Sequence, residues 1–242
     1  MTDFTAIRPE DLFPGFDPKR QPALDDHWIP GTSMFSPEAE AAKETWHAAE
    51  DQWAVANALY QAHRRESVPR RYRDAYEMPG EVEHWVQAMV DGEDPNVLVL
   101  YGGVGTGKTH SSIAAACLIH ARTLTSPVLY THGPALHFYL AATLLRELKN
   151  FSDQEAREET IWTTRYAKTL ILDDLTRPSV SEFDHEAITE ILDYRLGRFP
   201  TIITSNVEDS DELDEAFGQH LASRLLGGAT LVPIVGPDRR RQ

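Results

Sequence analysis

The sequence predicts an α/β protein: a three-layer αβα sandwich on a five-stranded parallel sheet, preceded by an N-terminal extension with one long helix. Three observations predict it. From Val68 onward short apolar runs alternate with helix-length segments, the pattern of parallel strands joined by crossovers. A glycine-rich stretch, Gly102-Gly-Val-Gly-Thr-Gly-Lys-Thr109, sits directly after one apolar run and directly before a helical one. A later apolar run, Thr169-Leu-Ile-Leu-Asp-Asp-Leu175, ends in paired carboxylates.

The elements follow in chain order. Residues 1–35 are acidic and punctuated by Pro9, Pro14, Pro18, Pro22 and Pro30, so they read as a flexible arm. At Ser36-Pro-Glu38 a capping hydroxyl, a first-turn proline and first-turn acids start a helix expected to run to about Glu66. Along it Ala39, Ala42, Trp46, Ala49, Trp53, Ala56 and Tyr60 recur at spacings of three and four, one aromatic stripe that either packs on its own domain or docks on another protein. Strands are expected at Val97 to Tyr101, Val128 to Thr131, Leu170 to Asp173, Thr201 to Thr204 and Ala229 to Ile234. Helices are expected at Lys108 to Arg122, Pro134 to Lys149, Asp184 to Arg198 and Gly218 to Leu226. The division is an arm (1–35), a partner-docking amphipathic helix (36–67) and a nucleotide-binding domain (68–242).

The 242 residues suffice for one such domain with an extension. The single cysteine, Cys117, lies in the apolar run Ile113-Ala-Ala-Ala-Cys-Leu-Ile119 and permits neither a disulfide framework nor a cysteine zinc site. No leader or membrane span is read from the apolar runs, and a cytoplasmic setting is expected. A net charge of −15 argues against a protein that coats DNA constitutively. Charge is uneven, however: His63 to Arg73 holds Arg64, Arg65, Arg70, Arg71 and Arg73 against Glu66, so any nucleic-acid contact is expected to be local. The run Val207 to Phe217 carries six acids and no base, and reads as a solvated helix cap, with a surface that repels nucleic acid as the alternative.

The glycine-rich stretch is a complete Walker A pattern. Gly102, Gly103, Gly105 and Gly107 let the backbone bend around a phosphate, and with Val104 and Thr106 they present amides at a helix N-terminus. Lys108 is expected to bridge the β and γ phosphates of ATP, and Thr109 to ligate Mg2+. In the second motif Asp173 is expected to hold the metal shell, with Asp174 beside it to activate water. Asn206, which closes the apolar run Thr201-Ile-Ile-Thr-Ser-Asn206, is placed to orient that water; an Asn at a strand end also suits a plain turn.

Together, Tyr101 to His110, Leu170 to Leu175 and Phe199-Pro-Thr-Ile-Ile-Thr-Ser-Asn206 resemble the DnaC/IstB-like branch of AAA+ P-loop NTPases, with His110 after the Walker A motif and paired aspartates as features of that branch. Val68-Pro-Arg-Arg-Tyr-Arg-Asp-Ala75 is similar to the family segment near the adenine, and the resemblance covers about residues 68–242. It implies an ATP hydrolase with no C-terminal helical lid, working as a ring or spiral of subunits. Arg224, in Leu221-Ala-Ser-Arg-Leu-Leu226, would be the finger reaching a neighbour's γ-phosphate. Arg240, in Gly236-Pro-Asp-Arg-Arg240, which lacks the family's usual Ser-Tyr pair, would be a second sensor, with Arg239 or a solvated basic tail as the alternatives. The function implied is loading of a replicative helicase onto single-stranded DNA, with the helicase held by the N-terminal region. An IstB-like transposition helper, and a nucleotide-gated interaction protein with little turnover, are the alternatives. Asp174 stands where many AAA+ proteins place Glu, which points toward slow turnover. The arm and first helix are expected to be separable from ATP binding.

Overall fold

A computed structural model describes residues 2–23, 26–27, 30, 33, 36–93, 96–123, 136–149, 152–175, 182–218, 222–223 and 227–239. In chain order the elements are β1 (Phe4–Ala6), α1 (Pro9–Leu12), α2 (Pro37–His63), β2 (Glu77–Pro79), α3 (Gly80–Asp91), β3 (Val97–Tyr101), α4 (Lys108–Arg122), β4 (Leu136–Leu140), α5 (Ala141–Leu148), α6 (Gln154–Tyr166), β5 (Thr169–Asp173), α7 (Glu182–Arg195), β6 (Thr201–Ser205), α8 (Asp211–Phe217) and β7 (Ala229–Pro233).

Five parallel strands form the sheet in the order β4-β5-β6-β3-β7. Alternate side chains point to opposite faces of a strand, and both faces here are apolar. Leu98 and Leu100 of β3 join a core with α2, α3 and α4, while Val97 and Val99 join a second core with α5, α7 and α8. These are the three expected layers. α4 is enclosed almost entirely, and its run of Ala114, Ala115, Ala116 and Cys117 lets neighbouring elements approach closely. Tyr101 lies level with Ser205 in the register, so the C-terminal ends of β3 and β6 open on the same edge. In open parallel sheets that edge is where ligands bind.

Two expectations change. The helix expected from Pro134 begins instead as a strand: Leu136-His-Phe-Tyr-Leu140 pairs with β5, and the helix starts at Ala141. A short run rich in aromatics has no decisive period, so the vacant sheet edge beside β5 decides its state. The strand expected at Val128 to Thr131 lies outside the described residues, as does most of the helix expected over Gly218 to Leu226.

The N-terminal extension packs on the domain. Ser36 caps α2 by accepting from the Ala39 amide at 3.2 Å. Ala58, Leu59 and Ala62 of α2 are buried in the α4-side core. The indoles of Trp46 and Trp53 donate to the carbonyls of Pro22 (3.3 Å) and Asp17 (3.1 Å), and Phe16 packs against Trp53 and Tyr60. Part of the aromatic stripe is thus met by the chain's own preceding segment. Ahead of that segment, β1 pairs antiparallel with β2, from Phe4 opposite Pro79 to Ala6 opposite Glu77.

The basic cluster of residues 64–73 is partly occupied within the fold. Arg64 lies 3.5 Å over the Tyr60 ring, and Arg65 donates to Nε2 of His120 at 2.9 Å. Arg71 stacks on Tyr72, while Arg70 is exposed. Among the described residues no helix is long and apolar enough to cross a membrane.

Candidate nucleotide site

The loop between β3 and α4 is built by close approach. Gly102 has φ of +140°, and a Cβ there would stand 2.3 Å from the Ile234 carbonyl oxygen. Gly105 has φ of +79°, and a Cβ there would meet Asp238 Oδ1 at 1.9 Å. Only glycine fits both backbone and space at these two positions. The glycines therefore admit the chain's own segment after β7 as well as bending the loop, and the Arg239 amide fastens that segment to the Gly105 carbonyl at 2.9 Å.

α4 begins at Lys108, immediately after the loop, so its N-terminal end and positive dipole face the loop, an arrangement that favours an anion there. The Lys108 side chain is buried, with Nζ donating to the Gly102 and Gly103 carbonyls at 2.7 Å each. The Thr106 hydroxyl donates to the Gly103 carbonyl at 3.0 Å. Val104 stands exposed at the loop tip.

Beside the loop, β5 and β6 deliver oxygen donors. Asp173 Oδ1 accepts from the hydroxyls of Thr109 (2.8 Å) and Thr204 (2.7 Å). Burial, with Asp174 adding to it, raises the Asp173 carboxyl above its usual range; the two hydroxyls and Lys108 oppose the shift. A hydroxyl and a carboxylate so close are the hard oxygen donors that a magnesium ion with retained waters takes.

Asp174 is exposed and is the one non-glycine residue with positive φ, +62°, among those described. Its amide donates to Thr204 Oγ1 at 2.8 Å, and its carboxylate accepts from Asn206 Nδ2. The left-handed backbone gives a physical reason for Asp here: Asp and Asn tolerate that conformation far better than longer side chains.

Lys108, Thr109, Asp173, Asp174 and Asn206 line one cleft of about 440 Å³, together with Arg71, Tyr72, His110, Leu140, Thr204 and Arg239. Of the residues singled out in the sequence, Val104, Gly105, Gly107, Lys108, Thr109, His110, Asp173, Asp174 and Asn206 meet there, while Gly102, Gly103 and Thr106 shape the loop without lining the cleft. Arg224 and Arg240 lie outside the described residues. Thr204 escaped notice, although its place two residues before Asn206 on an apolar strand was a usable signal: alternate residues share a face. Nothing in the sequence pointed to Glu77, whose amide donates to His110 Nε2 at 3.4 Å and whose carboxylate pairs with Arg239 at 3.4 Å. Burial lowers the His110 pKa, with Glu77 opposing and Arg239 reinforcing the shift.

No curated protein sequence matches the chain. The fold is similar to that of the DnaC helicase loader (24% identity, TM-score 0.52, 65% of this chain and 90% of that one) and of DnaI (24%, 0.50, 66% and 83%). It is also similar to a replication initiator DnaA bound to AMPPCP and single-stranded DNA (22%, 0.50, 65% and 46%). Likenesses at these identities establish the fold. The family described as IstB-like ATP binding protein matches residues 86–242, well over half the chain and nearly every group lining the cleft. The chain therefore belongs to the family of IstB-like ATP binding proteins.

Proposed function

We propose that this protein hydrolyses ATP between subunits of a homo-oligomeric ring or spiral and uses that cycle to load a replicative DNA helicase onto single-stranded DNA. The observation that carries the hydrolytic part is the joint geometry of Asp173, held by Thr109 and Thr204, and Asp174, held by Asn206. Thr109 and Asp173 would hold Mg2+, whose charge would offset that of the phosphate oxygens. Loop amides of residues 102–109 and the N-terminus of α4 bind the polyphosphate, and Lys108 turns from the loop carbonyls to its β and γ oxygens. Asp174 accepts the proton of the attacking water, and Asn206 fixes that water's direction. Arg224 of a neighbouring subunit supplies the permanent planar charge opposite the γ-phosphate, and Arg240 is a second cation on it.

Loading rests on family membership and on the fold shared with a protein described as a helicase loader. The N-terminal region is the helicase contact, and exposed basic groups such as Arg70 contribute to single-strand binding. A nucleotide-gated protein with little turnover is favoured by one observation, the short acid Asp174 on a left-handed backbone. Turnover measured alone, with single-stranded DNA and with helicase decides between them. Under the loader reading Lys108→Ala loses ATP binding, while Asp174→Asn keeps binding and loses on the order of 100-fold in turnover. Turnover that stays negligible with both partners present sinks the loader in favour of the gated protein. Stimulation by duplex rather than single-stranded DNA favours a transposition helper.

A further inference from the structure

The first described residues form a strap beside the phosphate loop. The Thr2 amide donates to the Val235 carbonyl (3.0 Å), and the Val235 amide returns to Thr2 Oγ1 (2.9 Å). Phe4–Ala6 pair with β2, and the Ile7 amide donates to the Tyr76 carbonyl at 3.1 Å. One short strand thus joins the segment leaving β7 to the segment entering α3. Where the two meet, the Arg239 guanidinium lies 3.8 Å from the centre of the Phe4 ring and 3.4 Å from Glu77 Oε2. A Cβ on Gly107 would touch both Phe4 (3.6 Å) and Arg239 (3.7 Å), so the pair rests on the phosphate loop itself.

Sheet order says which end of the cleft this is. β3 carries the loop, with β6 and β5 on one side of it and β7 on the other. Asp173, Asp174 and Asn206 come from the first side; Arg239 comes from the second, where Glu77 and His110 stand. If the carboxylates face the γ-phosphate, Arg239 faces the opposite end, the nucleoside and α-phosphate.

Resting on the nucleotide reading of the cleft, we infer that Arg239 is a nucleotide-holding cation at the nucleoside and α-phosphate end, with Phe4 and Glu77 as its positioning residues. The N-terminal strand is then part of the nucleotide site and not separable from it. A guanidinium held in place between an aromatic face and a carboxylate loses less freedom on meeting an anion than a mobile one.

The test is equilibrium binding of fluorescent ATP and ADP analogues to the full chain, with melting followed in parallel. Because both nucleotides share that end, Arg239→Ala weakens both by about tenfold, the scale of one charge-assisted hydrogen bond. Phe4→Leu keeps apolar bulk but loses the ring face, and weakens both by about threefold; Phe4→Tyr restores binding. In an Arg239→Ala background Phe4→Leu adds nothing further. A loss confined to ATP would reassign Arg239 to the γ-phosphate and overturn the inference. So would unchanged affinity in Arg239→Ala, or effects of Phe4→Leu that simply add to it. Lys108→Ala run alongside separates the two failures: if it too leaves binding intact, the nucleotide reading has failed, and if it alone abolishes binding, only this inference has.

Discussion

The two ends of the cleft are held in different ways. At the carboxylate end, Asp173 is the last residue of β5, Thr204 lies within β6, and hydroxyl bonds of 2.7 and 2.8 Å lock the carboxylate beneath the loop. Strand pairing positions these groups, and both threonine contacts are short, the one from Thr204 buried. At the Arg239 end the holders are a three-residue strand, a cation–aromatic stack and a half-exposed ion pair. Exposed contacts of that kind each contribute only about 0.5–1 kcal/mol. The sheet end is preorganised for chemistry, and the strap end is built to yield.

The harshest way to break this contrast is to push the segment after β7, to which the strap is joined, off the loop. Gly102→Ala sets a Cβ against the Ile234 carbonyl in a conformation that L residues avoid, and should cost on the order of 3 kcal/mol in denaturant unfolding. Gly80→Ala is the control: nothing lies within 4 Å of the added carbon, and the change should cost little or stabilise slightly. Equal losses from the two would mean that the segment after β7 does not press on the loop.

At the sheet end, Thr204→Val removes the donor to Asp173 and the acceptor of the Asp174 amide together. Leaving buried polar groups unmatched costs about 1–3 kcal/mol, and Asp174, released in its left-handed conformation, should lose its fixed direction. Asp173→Asn should do the opposite to stability. Folding raises the Asp173 pKa, so below its ordinary value of 3.8 the group contributes nothing, and above its folded value the ionised carboxylate is a standing cost. At neutral pH the amide removes that cost, and the melting temperature without metal should rise by about 2 °C. Mg2+ should then stabilise the parent chain but not the variant. A fall in melting temperature would show that charge at 173 helps the fold, not only the function.

The same contrast governs what could be read from the sequence. The sheet end was legible: an apolar run fully buried between two helix layers has only its ends free for polar groups, so Asp173 and Asn206 at run ends were conspicuous, and β3, α4, β5 and β6 fall within a residue of expectation. The glycine loop was legible because a phosphate-binding turn leaves few residue types possible. The strap was not, since Phe4-Thr-Ala6 has neither length nor period enough to mark a strand, and its partner lies more than seventy residues away. Helix α3 was readable and missed: Val82, Trp85, Val86 and Met89 are spaced three, one and three and all are buried. Helix α6 was not readable by that rule, because Thr160 and Thr164 are the residues it buries. Asp174's departure from glutamate was visible in sequence, but its cause, a backbone turn, was not.

A last effect concerns acid, and it separates the ends without altering the nucleotide. His63, the last residue of α2, is buried against the Tyr76 ring at 4.2 Å, next to the carbonyl that receives the Ile7 amide. Burial lowers its pKa to about 4; Arg64 and His110 reinforce this, while the Tyr72 backbone and Asp74 oppose it. In the unfolded chain it titrates near its ordinary 6.5, so the unfolded state takes up a proton first as pH falls. Stability from the neutral ring is complete above 6.5, is lost between 6.5 and about 4, and falls no further below that. His63→Phe keeps the ring stack and removes the titration, and should recover on the order of 2 kcal/mol at pH 4.5 relative to the parent. His120, also lowered to about 4 and bonded to Arg65, continues to titrate in the variant, so part of the acid loss should remain. Hydrogen exchange at pH 5 then locates the weakness. The amides of Ile7 and Val235 should open before those of Leu172 and Ile203, and equal opening at the two ends would show that the strap is as firm as the sheet.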